Sequence, residues 1–169
     1  MRNVAAGLIV VLISILVGFL GLELFVRIAY SDGSNFDIEM WRYAKDLKQV
    51  SDIPGVGHEH RPNTAGTYMG VPVSINSMGH RDNEISLPKP PGRVRIVMLG
   101  DSVTFGWGAP MEGTTSETLE RLLNESGSRQ YEVVNTGVGN TNTAMQAAYF
   151  IHKGYELEPD VVVLNYFIN

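Results

Sequence analysis

The pattern of hydrophobic and polar positions divides the chain into three parts. Residues 4–22 form an unbroken uncharged run, and about 20 apolar residues are enough to cross the hydrocarbon core of a bilayer as a helix. Residues 31–92 become rich in Gly, Pro and Asn, whereas residues 93–169 alternate short apolar runs with segments of helical periodicity. The pattern therefore predicts a transmembrane anchor over 1–30, an irregular lead-in with short strands over 31–92, and α/β structure over 93–169.

The apolar run favours an uncleaved anchor over a signal peptide. A signal peptide has a shorter apolar region of about 7–15 residues and a small-x-small cleavage site, which the sequence at 28–30 lacks. Arg2 and the terminal amine favour a cytoplasmic amino terminus, although basic residues beyond the run weaken this bias. We expect a single-pass anchor in the lipid bilayer through residues 4–22, with the remainder outside the cytoplasm (periplasmic or at the cell surface). Glu23 and Arg27 are four residues apart and are expected to pair.

The lead-in carries weaker patterns. Residues 36–50 have the spacing of a short amphipathic helix, whose apolar members are Ile38, Trp41, Tyr43 and Leu47. Short strands are predicted at 66–69 and 71–75. The histidines of the sequence HEH, at 58–60, have no further ligand cluster near them and are predicted to lie at the surface, whereas His80 is predicted to be structural.

The third part alternates strands and helices. Strands are predicted at 95–99, 131–134 and 161–166, because these runs are almost wholly apolar. Thr114 followed by Glu117 is a capping-box pattern that begins the first helix. The second helix is predicted at 143–153, with Ala144, Ala147, Ala148 and Ile151 facing the sheet. Continuous apolar strands joined by helices indicate a parallel sheet covered on both faces.

The carboxyl ends of these three strands converge on one edge of the sheet, where open α/β sheets bind their ligands. Gly100-Asp101-Ser102 follows the first strand, a Gly-rich loop over 137–140 follows the second, and Asn169 ends the third. Acyl transfer needs a nucleophile and donors aimed at the developing oxyanion. Ser102 offers a hydroxyl and its own N–H, the loop offers a further N–H, and Asn169 offers a side-chain amide.

Composition narrows the candidate chemistry. The chain has 13 basic and 18 acidic residues and a net charge of −5, which argues against the clustered basic face of a nucleic-acid-binding protein. It has no cysteine, so disulfides and thiolate metal sites are excluded. We expect no cofactor and no metal, because serine acyl chemistry uses side chains and backbone donors. The oligomeric state stays open.

The strand-end motifs resemble those of the SGNH (GDSL-like) hydrolases, which are esterases and lipases with a flavodoxin-like fold. The first block of that family is matched by VMLGDSVTFGWG, with Ser102 as nucleophile. The second is similar to NTGVGNTNT, and the third begins like LNYFIN, with Asn169 as the side-chain oxyanion donor. The lead-in is similar to that of the membrane-anchored bacterial branch. The resemblance implies a flavodoxin-like three-layer sheet, of which about three strands are present here, and hydrolysis of ester bonds, including O-acetyl groups.

Two departures from the family pattern change the expected site. The oxyanion glycine of the family lies five residues after the Asn of the second block, which is Asn140 here, with Gly139 just before it. Either backbone N–H is therefore a candidate donor. The family's base comes from an Asp-x-x-His block, which none of the histidines at 58, 60, 80 and 152 forms. We expect the chain to be a fragment of a longer protein and to have little activity alone.

Two other functions fit the same sequence. The acyl group could pass to a sugar hydroxyl instead of water, which would make the protein an O-acyltransferase of a cell-surface polysaccharide. Alternatively, the protein could be a non-catalytic, membrane-tethered binding protein. The expected substrate of the enzymatic alternatives is an ester or an acylated carbohydrate.

Overall fold

The computed structural model describes residues 2–30, 33, 35–127 and 129–167, without the side chains of 2–5 and 126. Its helices are α1 (Arg2–Ala29), α2 (Phe36–Leu47), α3 (Ser102–Phe105), α4 (Thr115–Ser126) and α5 (Thr143–His152). Its strands are β1 (Lys48–Val50), β2 (His58–His60), β3 (Thr64–Tyr68), β4 (Val71–Ile75), β5 (Arg93–Leu99), β6 (Gln130–Asn135) and β7 (Val161–Leu164). The protein is therefore of mixed α/β class, with an apolar N-terminal helix and small sheets.

Helix α1 is long and apolar enough to cross a membrane or to act as a signal sequence. Its segment Ala6–Ala29 has a mean hydropathy of 2.8, and none of it is buried within the protein. Near its end, Arg27 and Glu23 form an ion pair at 2.7 Å, which confirms the predicted pairing.

Strands β6, β5 and β7 form a parallel sheet in that order. The two faces of the central strand β5 enter different cores. Val97 packs with Tyr149 of α5 on one face, whereas Ile96 and Met98 pack with Leu119 of α4 on the other. The prediction of a parallel sheet is confirmed for these three strands, and the central strand β5 is covered on both faces. The predicted cover is wrong for β7, where Val161, Val162 and Leu164 are 46%, 41% and 45% exposed.

Helix α5 turns a different face to the sheet from the predicted one. Ile151 is 71% exposed, and Ala144 and Ala147 are exposed as well, so the contact with the sheet predicted for these three residues is wrong. Gln146 and Tyr149 are buried instead. The Tyr149 hydroxyl lies 2.6 Å from His80 Nε2, and this hydrogen bond allows the tyrosine hydroxyl to occupy the core face.

The lead-in folds into two antiparallel strand pairs beside α2. The pair β3–β4 confirms the two predicted strands within two residues, whereas β1–β2 was not predicted. Helix α2 begins at an N-cap, where the Asn35 side chain accepts a hydrogen bond from the Ile38 N–H at 3.0 Å. It buries Tyr43 and Leu47, as predicted, but Trp41 is 63% exposed and does not join the core.

The lead-in and the α/β part share a hydrophobic core. This core consists of Tyr43, Leu47, Tyr68, Val73, Ile75 and Phe105. The rings of Tyr43 and Phe105 have centroids 5.1 Å apart. Since Phe105 ends the short helix that Ser102 begins, the lead-in directly supports the segment that carries the candidate nucleophile.

The prediction that the histidines of β2 lie at the surface is wrong. His60 is 1% exposed, and its Nε2 lies 2.6 Å from the Tyr43 hydroxyl. His58 is half-buried. His80 is 4% exposed and pairs with Tyr149 across the core, which agrees with the structural role predicted for it. Burial lowers the pKa of His60 and of His80 to about 3, so both rings are neutral at neutral pH.

These neutral histidines predict a loss of stability in acid. The unfolded chain binds a proton at each ring below pH 6.5, whereas the folded chain does not until about pH 3. Each ring should therefore reduce the free energy of unfolding by about 2 kcal/mol between neutral pH and pH 5. Urea unfolding of the detergent-solubilised chain should show that His80→Gln lowers the dependence of this free energy on pH by about one proton. Parallel curves for the two proteins would contradict the prediction.

Candidate active site

Ser102 lies at the carboxyl end of the central strand β5. The chain leaves the strand at Leu99, turns at Gly100, and begins α3 with Ser102. Asp101 caps this short helix, because its Oδ1 accepts a hydrogen bond from the Val103 N–H at 2.9 Å. Ser102 is half-buried, and within the described residues its hydroxyl takes part in no hydrogen bond. The hydroxyl is therefore available to a ligand.

The loop after β6 packs closely against this turn. A Cβ on Gly137 would lie 2.3 Å from the backbone N of Phe105 and 2.7 Å from the carbonyl carbon of Thr104. The Gly100 carbonyl accepts hydrogen bonds from the Val138 N–H at 3.2 Å and from Thr141 Oγ1 at 3.3 Å. The ends of the first two strands of the sheet are thus held together, as the sequence predicted.

A buried arginine fixes the chain after α3. Arg81 is 1% exposed, and its guanidinium lies 5.0 Å from the Phe105 ring. It donates to the carbonyl oxygens of Phe105 at 3.0 Å, Gly106 at 2.5 Å and Ala109 at 2.6 Å. Planar guanidinium donors suit such a set of carbonyls, so Arg81 holds the segment that follows Ser102. Sequence pattern does not indicate this role for Arg81, since a single Arg carries no signal of burial.

The two candidate backbone donors of the second loop differ in their surroundings. Gly139 is buried, and its N–H donates to the Tyr43 hydroxyl at 3.1 Å. Asn140 is exposed and adopts a left-handed backbone with φ of 62°. Within the described residues its N–H makes no hydrogen bond. The Gly139 N–H is therefore engaged inside the protein, whereas the Asn140 N–H is open to a ligand.

Two clefts flank the Ser102 turn. One, of about 240 Å³, is formed by all three strand ends; its lining residues are Asp101, Thr141, Asn142, Thr143, Gln146, Tyr166 and Phe167. Ser102 itself lines the neighbouring cleft of about 380 Å³, together with Trp107 and Thr114. Asn169, the predicted side-chain donor, lies outside the described residues.

The four histidines are candidates for a general base beside Ser102, and each has a defined environment. His60 and His80 pair with buried tyrosines, His152 is exposed at the end of α5, and His58 Nε2 lies 3.2 Å from the Gly139 carbonyl oxygen. None of them forms a hydrogen bond with Ser102 in the part of the chain that the structure describes. In the same part, no group of three or more His, Asp or Glu side chains is arranged to hold a metal ion.

A lysine from the lead-in also reaches the second loop. Lys48 is 9% exposed, and its Nζ donates to the Gly139 carbonyl oxygen. The same Nζ lies 3.3 Å from His58 Nε2 and 4.8 Å from the centre of the Tyr43 ring. Burial lowers the pKa of Lys48 to about 8, so the group is still mainly charged at neutral pH. Tyr43 and Lys48 lie more than 90 positions from Gly139 in the chain, and sequence pattern alone did not identify either residue as part of the site.

No protein-family model matches the chain, and no curated protein matches its sequence.

Proposed function

We propose that this chain carries the nucleophile and part of the oxyanion site of a serine esterase or acylhydrolase of the SGNH type. The observation that carries the proposal is the position of Ser102. It begins a tightly held helical turn at the carboxyl end of the central parallel strand, and it lines a cleft. Such strand ends are the usual place for ligand chemistry in open α/β sheets.

The strand order supports the flavodoxin-like part of the proposal. Taken along the chain, β5, β6 and β7 are the first, second and third strands of the parallel sheet, and their spatial order is second, first, third. Flavodoxin-like sheets begin with this same order. The helices on the two faces also agree with a three-layer arrangement.

In the proposed reaction, Ser102 Oγ attacks the carbonyl carbon of an ester and passes its proton to a general base. The carbon–oxygen bond to the alcohol then breaks, the alcohol leaves with a proton, and water hydrolyses the acyl-serine. The resemblance to the SGNH family implies that the base is the His of an Asp-x-x-His block, which is none of the four histidines present. Within the described residues, none of those four histidines forms a hydrogen bond with Ser102, so none of them is proposed as the base.

The proposed oxyanion donors are the N–H groups of Ser102 and Asn140. The engaged N–H of Gly139 makes this residue the weaker of the two loop candidates. Asn169 would add its side-chain amide, as the resemblance implies. Helix α1 would hold this site at a membrane surface on the side opposite the cytoplasm.

The experiment compares the protein expressed from its natural gene with its Ser102→Ala variant, using p-nitrophenyl acetate with and without an oligosaccharide acceptor. The proposal predicts saturable acetate release by the protein and a rate near that of the buffer for Ser102→Ala. Acetylated oligosaccharide as the main product would identify a transferase instead. A natural protein that neither hydrolyses nor transfers acetyl groups would overturn the enzymatic proposal in favour of a binding role.

A further inference from the structure

The peptide group between Gly139 and Asn140 is held from one side by residues of the lead-in. Its carbonyl oxygen accepts a hydrogen bond from Lys48 Nζ, and His58 Nε2 lies 3.2 Å from the same oxygen. Lys48 is in β1 and His58 in β2. These strands pair antiparallel, with Lys48 opposite His60 and Val50 opposite His58, so Lys48 and His58 are diagonal neighbours on the same face of the pair. A carbonyl oxygen has two lone pairs, so both groups can occupy it at once.

The preceding peptide is fixed as well. The Gly139 N–H donates to the Tyr43 hydroxyl at 3.1 Å, and that hydroxyl lies 2.6 Å from His60 Nε2. A Cβ on Gly139 would lie only 3.1 Å from the Tyr43 ring, so the loop packs directly on this side chain. Both backbone groups of Gly139 therefore point into the lead-in.

This arrangement determines where the next N–H points. In a trans peptide the C=O of one residue and the N–H of the next are directed to opposite sides of a rigid plane. Because the Gly139 carbonyl points toward Lys48, the Asn140 N–H points away from the lead-in. Asn140 itself is exposed, and its neighbour Thr141 lines the cleft formed by the three strand ends.

We propose that Lys48 is a positioning residue, which together with His58 holds the Gly139–Asn140 peptide so that the Asn140 N–H serves as an oxyanion donor. A cation on the carbonyl oxygen also polarises the peptide group, because linked hydrogen bonds strengthen one another in a low-dielectric interior. The Asn140 N–H is thereby a stronger donor than an ordinary exposed amide. The inference rests on the proposed esterase function and adds to it the role of the lead-in.

The test combines kinetics with a spectroscopic readout. Lys48→Met removes the cation but keeps an apolar stem, and Lys48→Arg restores a charged donor. Lys45→Met is the matched control, since Lys45 is an exposed lysine near the end of the helix that leads into β1, with its Nζ 5.0 Å from the centre of the Trp41 ring. Ester hydrolysis is measured on the protein from its natural gene. NMR of the Gly139 carbonyl carbon and the Asn140 amide proton is measured on the detergent-solubilised chain.

For Lys48→Met, kcat should fall about 10–100-fold, while KM stays within about twofold. The Gly139 carbon and Asn140 proton signals should both move upfield. Lys48→Arg should recover part of kcat and of both shifts, and Lys45→Met should change neither. If Lys48→Met does not fold, Lys48→Gln replaces it, with losses in the same direction because its amide donor is uncharged.

The possible failures are distinguishable. If the wild-type protein hydrolyses esters in a Ser102-dependent way and the folded Lys48 variant keeps its full kcat, this inference is wrong while the proposed function stands. The inference is equally wrong if the Asn140 amide signal does not respond to loss of the Lys48 cation. If the wild-type protein shows no Ser102-dependent hydrolysis, the proposed function fails and the catalytic part of the inference fails with it.

Discussion

Replacing Ser102 by Ala is expected to lower ester turnover by the natural protein about 10⁴–10⁶-fold, the range found when the nucleophile or another member of a serine triad is removed. The physical reason is that the alanine methyl cannot form the acyl-enzyme, so only binding and oxyanion contacts remain. Because the Ser102 hydroxyl makes no hydrogen bond with the described residues, the same change should alter the free energy of unfolding by no more than about 0.5 kcal/mol. A large kinetic effect with a small effect on the free energy of unfolding is expected when a catalytic side chain without structural contacts is removed.

The measurement pairs steady-state hydrolysis with urea unfolding of the same preparations. Ser74→Ala is the matched control, since Ser74 is an exposed serine of β4 in the lead-in. It should leave both quantities unchanged. If Ser102→Ala and Ser74→Ala retain equal activity, Ser102 is not the nucleophile.

Among the substitutions discussed, Gly137→Ala is expected to lower the free energy of unfolding most, by about 3 kcal/mol. The new methyl group would lie 2.3 Å from the backbone N of Phe105, and backbone cannot move aside as a flexible side chain can. The clash is relieved only by separating the loop after β6 from α3, which displaces Ser102 as well. Urea unfolding of the detergent-solubilised chain measures the first effect, and turnover by the natural protein measures the second.

The control for this substitution is Gly113→Ala. The nearest atoms to a Cβ on Gly113 belong to the Pro110 ring at 3.4 Å, which is an ordinary contact distance. Its backbone has no positive φ, so the change should cost less than about 1 kcal/mol. Equal stability of the two variants would show that the loop after β6 does not press on α3 as described.

Sequence pattern predicts those elements of this protein whose signal lies in neighbouring residues of the chain. The long apolar run of α1 and the apolar β5 need only their own residues to be recognised, and the capping Thr114 accepts a hydrogen bond from the Glu117 N–H as predicted. The meeting of the three strand ends at one edge follows from the alternation of strands and helices along the chain, because the strands of such a sheet are parallel. The sequence therefore predicts the position of Ser102 at this edge of the sheet, whereas its chemical role stays a prediction.

The remaining features depend on contacts between distant segments. Strands β1 and β2 have three residues each, too few for a recognisable alternation. The burial of His60 depends on its pairing with Tyr43, and the buried face of α5 depends on the pairing of Tyr149 with His80. In both cases a hydrogen bond to a remote side chain makes burial of a polar group favourable, and composition or periodicity cannot reveal such a partner.

The same reason explains why the candidate oxyanion loop was only partly predicted. The sequence left Gly139 and Asn140 as equal alternatives. The contact between the Gly139 N–H and the Tyr43 hydroxyl separates them, and it joins residues 96 positions apart. The lead-in is thus part of the candidate site, which its Gly- and Pro-rich composition gave no reason to expect.

The central claim is that Ser102 is an activated nucleophile, and its most direct test is covalent capture. Membranes containing the protein expressed from its natural gene are treated with a fluorophosphonate probe, digested, and analysed by mass spectrometry. We predict a phosphonyl adduct on the Ser102 hydroxyl, absent from Ser102→Ala and unchanged in Ser74→Ala. A natural protein that carries no adduct, or carries it on another residue, would contradict the claim.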